Sequence, residues 1–254
     1  MINLIKAEFA KLFSTKLWLW LLLGAVAFTI FVVSITIGFD GQSNNGGTPR
    51  LNTPDGQRNL FSSAGAANVW ALILGAIAVT GEFRHQTVTP TFLATPHRGR
   101  VVIAKLLAYA ITGIGYGIAT IVLAIAIALP WASAKGIDIS LGSNGIPGTL
   151  VGVAAGVAVY ALLGVGICAL IRNQIAAVVG ALVYLFVVEG LVGNLPGIRD
   201  YYKWFPGGAN AALTGASQPN ITLLAQYQGG LLLVAYGLVF AILGTWLAVR
   251  RDVT

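Results

Sequence analysis

Charged side chains are what this sequence has least of. They make up 9% of its 254 residues, where a soluble globular domain carries about 25%. A chain of this length cannot absorb that deficit in its core, because a small domain still has a large surface to cover. The surface that lacks charge must face lipid, and the hydrophobic content of 57% and mean hydropathy of +0.83 agree. Cysteine is nearly absent too. Cys168 stands alone inside an apolar run, which excludes an internal disulfide and a cysteine-based metal site and leaves a small packing residue. The two histidines, His85 and His97, share one polar loop without nearby ligand partners, so no metal site is expected.

Catalytic and energy-coupling signatures are missing as well. The dipeptide Gly-Lys does not occur, so there is no P-loop to hold nucleotide phosphates. Neither H-E-x-x-H nor G-x-S-x-G is present, which removes the zinc protease and serine hydrolase templates. An ion-driven carrier places Asp, Glu or His near mid-membrane. Here the main candidate is Glu189, toward the outer end of its apolar run. The net charge of +7 does not indicate nucleic acid, because the basic residues sit mostly at the ends of apolar runs, where they set topology.

What is present is a series of apolar runs, each about the length a bilayer core requires. They cover about 17–38, 60–80, 101–129, 148–171, 175–195 and 229–249. The sequence therefore predicts an all-α integral membrane protein of six transmembrane helices. The first run is too long for the h-region of a cleaved signal, and no small-residue cleavage site follows it before Asp40. No loop is long enough to build a core of its own, so 1–254 reads as a single transmembrane domain.

Residues 1–16 precede the first run. Ile2, Ile5, Phe9, Leu12 and Phe13 recur at helical spacing while Lys6, Glu8 and Lys11 point elsewhere, which predicts an amphipathic helix in the membrane interface. Residues 39–60, rich in Gly, Asn, Pro and Asp, and 130–147 read as outer loops, and 196–227 as a mixed segment with Pro206 and Pro219 as breakers. With the N-terminus inside, Lys6, Lys11, Lys16, Arg84, Arg98, Arg100, Lys105, Arg172, Arg250 and Arg251 fall on the inner side. Only Arg50, Arg58, Lys135, Arg199 and Lys203 fall outside. The excess of inner basic residues puts both termini in the cytoplasm.

Small residues mark helix contacts. Gly113 and Gly117 lie four apart on the third run, and Gly148, Gly152 and Gly156 do so on the fourth. That spacing lets helices approach closely, within one subunit in preference to between copies. Glu189 has two readings. It caps backbone N–H groups of an outer segment or pairs with Arg199, or else it touches a substrate or forms an outer gate; the structural reading is favoured.

The most informative stretch is GEFRHQTVTPTFLATPHRGRVVIAK, residues 81–105. Gly81 can break the second span, and Glu82 and Arg84 mark where the chain leaves hydrocarbon. Pro90 and Pro96 frame a short segment carrying Phe92 and Leu93. These two apolar residues either dock on a soluble partner or dip into the lipid interface.

Glu82, Arg84, Thr87, Phe92, Leu93, Thr95, Pro96 and Lys105 follow an order that resembles the first cytoplasmic loop of type-two ABC exporter permeases. Gln86 departs from the Gly common there. The resemblance extends over nearly the whole chain, and VEGLVGNLPGIRDYYKWFPGGANAALTG, from Val188, is similar to that family's re-entrant outer hairpin between the fifth and sixth spans. It implies an ATPase-coupling loop formed by Glu82, Arg84, His85, Thr87, Phe92, Leu93, Thr95 and Pro96. It also implies an outer gate or hairpin around Glu189, Pro196, Phe205 and Pro206. The implied partners are two copies of an ABC ATPase subunit, which bind the ATP and Mg, together with a second permease copy or a related permease. The implied location is a bacterial plasma membrane. No cofactor is expected on this chain, nor catalysis by it. The expected substrate is hydrophobic or amphipathic, such as a drug, peptide or lipid-like molecule, because the spans hold few charges. A non-transporting immunity or scaffold protein and an ion-coupled carrier are the rival readings.

Overall fold

The computed structural model describes residues 1–40, 49–84, 98–171, 173–218 and 221–250, without the side chains of 82–84, 98 and 244–250. Among the described residues the chain is helical and contains no strand. Six helical stretches are long and apolar enough to cross a membrane: Leu17–Gly38, Pro54–Gly81, Gly99–Ala134, Ile146–Leu170, Gln174–Asn194 and Gln226–Leu243. This is a multi-pass membrane protein.

Helix α1 (Ile2–Ser14) buries Glu8 and Leu12 and turns at Thr15 into α2 (Leu17–Gly38). The loop expected over 39–60 is shorter than its composition suggests, because α3 (Pro54–Ser62) begins inside it. The local chemistry explains this. Thr53 accepts the Gly56 N–H at 3.1 Å, and Pro54 takes the first helical position, where no N–H is needed. A short 3₁₀ turn, Ser63–Ala66, then feeds α4 (Ala67–Arg84).

Helix α5 (Arg98–Ala134) corrects a second expectation, that the third span stops before Pro130. It has 37 residues and carries Pro130 inside it, so at 1.5 Å per residue it is about 55 Å long, well beyond a bilayer core of about 30 Å. The stop is a glycine. Gly136 has φ +73°, and Ile137 N–H donates back to Ala132 O at 2.9 Å, the left-handed termination that satisfies the last carbonyls.

Helix α6 (Ile146–Leu170) starts with proline in its first turn and is the axis of the bundle. It packs against α4, α5 and α10 (Gln226–Arg250), and 67% of its apolar window is buried, against 17% for each of the fifth and sixth spans. Gly113 and Gly117 of α5 lie on α6, where an added Cβ would come within 2.8 Å of Ala158 Cα and 2.9 Å of Ala154 Cα. On α6 itself, Gly152 faces the Leu213 carbonyl, Gly156 faces the Asn210 side chain, and Gly148 is looser, 3.5 Å from Gln226.

Helix α7 (Gln174–Val183) is capped by Asn173, which accepts the N–H groups of Ile175 and Ala176. It runs through a π turn, Tyr184–Val188, into α8 (Glu189–Asn194). A 3₁₀ turn, Arg199–Trp204, and α9 (Pro206–Leu213) come before α10. Pro206, a breaker by sequence, opens a helix instead, because the first turn tolerates its missing N–H.

Candidate functional site

Chemistry-bearing side chains gather at the two ends of this bundle. At the base, Glu8 of α1 meets Lys105 of α5 at 2.6 Å and Lys11 at 2.8 Å. The Glu8 and Lys105 side chains are only 4% and 7% exposed. Burial acts to raise the Glu8 pKa, but the charges and hydrogen bonds of Lys105 and Lys11 outweigh it. The carboxyl is held below its ordinary value and stays ionised. The pair borders a cavity of about 530 Å³ that reaches Leu74, Gly81, Tyr109 and Gln174. Five segments converge there: α1, the start of α2, the end of α4, the start of α5 and the start of α7.

Of the expected coupling residues, the description reaches two. Glu82 and Arg84 belong to the last turn of α4, with side chains outside the description. His85, Thr87, Phe92, Leu93, Thr95 and Pro96 lie outside the described residues. Lys105, the last matched position, sits inside α5 and is clamped to α1. Sequence reasoning placed Glu8 on the polar face of α1 and missed this partner, because 97 positions separate the two residues and no local pattern joins them.

At the far end, Glu189 is 5% exposed. The π turn just before it adds a residue to one turn and rotates the residues of α8 by about 100°. Glu189 Oε1 accepts the Gly207 N–H at 3.0 Å. Phe205 precedes α9 and offers no side-chain cap, so a carboxylate from another helix satisfies one of the free N–H groups of the first turn. Gly207 leaves room for the carboxylate, since a Cβ there would force Glu189 Oε2 to move. Tyr184 stacks with Phe205, ring centroids 6.4 Å apart. Among the described residues no ion pair joins Glu189 to Arg199, although both line one cavity of about 490 Å³ with Tyr202 and Gln218. Pro196 lies in the turn between α8 and the 3₁₀ segment, away from this contact.

Polar ties brace the same end. Gln57 donates to Asp138 O at 3.1 Å and accepts from Asn144 at 2.8 Å. Asn59 exchanges two hydrogen bonds with the backbone of Ser217, and Thr149 donates to Thr214 O at 2.7 Å. These bonds hold α3, the α5–α6 connection and the segment after α9 together. No group of three or more metal-ligating side chains occurs among the described residues. No protein-family model matches the chain, and no curated protein matches it.

Proposed function

We propose that this chain is the membrane-spanning permease subunit of an ATP-driven ABC exporter, moving a hydrophobic or amphipathic substrate outward. The observation that carries the proposal is the segment from Gly81 to Lys105. Its residue order resembles the coupling loop of type-two ABC exporter permeases, and it leaves and re-enters the bundle at the buried Glu8–Lys105 pair. A soluble ATPase pressing on Phe92 and Leu93 would push on α4 and α5. The clamp would pass that push to α1.

In this reading α1 lies in the inner interface, its exposed Ile2 and Phe13 set in lipid. Both termini are cytoplasmic and the membrane is a bacterial inner membrane. The stretch between α7 and α10 is the re-entrant outer hairpin. It holds short helices, α8 of 6 residues and α9 of 8, and the Glu189–Gly207 bond ties one to the other. Two ATPase subunits supply ATP and Mg chemistry from below. The sparsely buried apolar faces of α2, α5 and α7 are covered by lipid and by a second permease. The chain has no nucleotide site of its own sequence type, so the energy comes from the partner.

Charge reversal tests this directly. Glu82→Arg is expected to insert normally and to uncouple transport from ATP hydrolysis in the reconstituted complex. Substrate-stimulated ATPase activity equal to wild type would contradict the docking role.

A further inference from the structure

Two cavities adjoin along α7, and Leu185 lines both. One, of about 400 Å³, lies among α4, α6, α7 and α10 and is walled by Leu72, Leu163, Ala181 and Phe240. The other, of about 490 Å³, is polar and carries Glu189, Arg199, Tyr202 and Gln218. Each has the size of a small-molecule site, about 300–1,000 Å³. They adjoin at Leu185, one apolar and the other carrying two opposite charges.

The charges are the unusual part. Glu189 and Arg199 face one cavity, yet no ion pair joins them among the described residues. Lining one cavity without pairing, they leave two poles of opposite sign for a ligand to bridge. The poles differ in chemistry. Tyr202 lines the cavity with Glu189, and Tyr184 opens the π turn that precedes it. A carboxylate with aromatic neighbours suits an ammonium group, and the Gly207 N–H leaves acceptor sites on it for a ligand. Arg199 presents a guanidinium, the natural partner of phosphate or carboxylate. Tyr202 and Gln218 line the same cavity and supply neutral donors beside it. A cation alone would leave Arg199 repelling it, and an anion alone would leave Glu189 doing so.

We propose that these adjoining cavities bind a zwitterionic amphiphile with a single apolar chain. Its ammonium sits at Glu189, its phosphate or carboxylate at Arg199, and its chain lies against Leu72, Leu163 and Phe240. This rests on the exporter reading only in naming the ligand as a substrate class. The binding belongs to this chain alone.

The test is ligand titration of the full chain in a non-ionic detergent, read by native mass spectrometry. Four probes separate the chemistry: 1-palmitoyl lysophosphatidylethanolamine, 1-palmitoyl lysophosphatidic acid without the amine, hexadecylamine without the phosphate, and glycerophosphoethanolamine without the chain. The first is expected to bind at least tenfold more tightly than each of the others. Glu189→Gln keeps an amide oxygen for the Gly207 N–H and is expected to abolish the preference over lysophosphatidic acid. Arg199→Gln, at a partly exposed position, is expected to abolish the preference over hexadecylamine. Ala181→Phe, which fills the apolar cavity, is expected to weaken all the chained probes tenfold, and it carries the test should a charge variant not fold. Equal affinity for the chained probes, tight binding of the chainless headgroup, or retention of the wild-type order in both charge variants would overturn the proposal. An absent ATPase partner would sink the exporter reading and leave this binding order untouched.

Discussion

Glu189 shows how one residue can hold a carboxylate inside an apolar helix: the Gly207 N–H donates to it at 3.0 Å. Glu189→Leu removes the acceptor from the first turn of α9 and is expected to cost about 1–2 kcal/mol. Glu189→Gln should cost less. Thermal unfolding in detergent checks that order. A second comparison separates packing glycines from idle ones. Gly113 and Gly115 are neighbours on α5, but a Cβ at 113 meets the α6 backbone at 2.8 Å, while at 115 it meets nothing within 4 Å. Gly113→Ala is expected to destabilise by about 1–3 kcal/mol through overpacking. Gly115→Ala should be neutral or stabilising by up to about 1 kcal/mol, because alanine is the better helix former. Equal melting temperatures for the two variants would rule out the close α5–α6 crossing.

Among the elements, α1 and α5 are joined by a buried ion pair. Breaking such a pair on one side costs about 3–5 kcal/mol, whereas replacing both partners with apolar groups can be nearly neutral. Glu8→Gln is therefore expected to loosen α1, and Glu8→Leu with Lys105→Met to recover much of the loss. A double-mutant cycle read by protease sensitivity of residues 1–16 measures the coupling. The pH sign comes from the lowered Glu8 pKa. The contribution is fully present above the ordinary carboxylate range and is lost as pH falls through the depressed value in the folded protein. Acidification should thus release α1, and a shift from neutral to mildly alkaline pH should not. Much at this scale is legible in the sequence. The apolar run 17–38 coincides with α2 because continuous hydrophobicity of bilayer length leaves few alternatives. Polar composition hides α3, although the Thr-Pro-Asp signal of a helix start is there to read. Pro130 looks like a stop but lies within α5, and the actual stop depends on the positive φ of Gly136. The π turn before Glu189 and the Glu8–Lys105 pair are tertiary outcomes without a local pattern.

For the whole molecule, the central axis is α6, with α4, α5 and α10 around it. The base gathers α1 and the two helix ends from which residues 85–97 depart. The far end is braced by Gln57, Asn59 and Glu189. The resulting account is a rigid bundle pushed at its base by a soluble motor, and its central claim is the motor. A photo-crosslinking residue placed at Phe92, compared with one placed at Tyr201, tests that claim most directly in cells making the full chain. The account predicts a covalent adduct with a P-loop ATPase from position 92 and none from position 201. No ATPase adduct from position 92, or equal adducts from both, would contradict it.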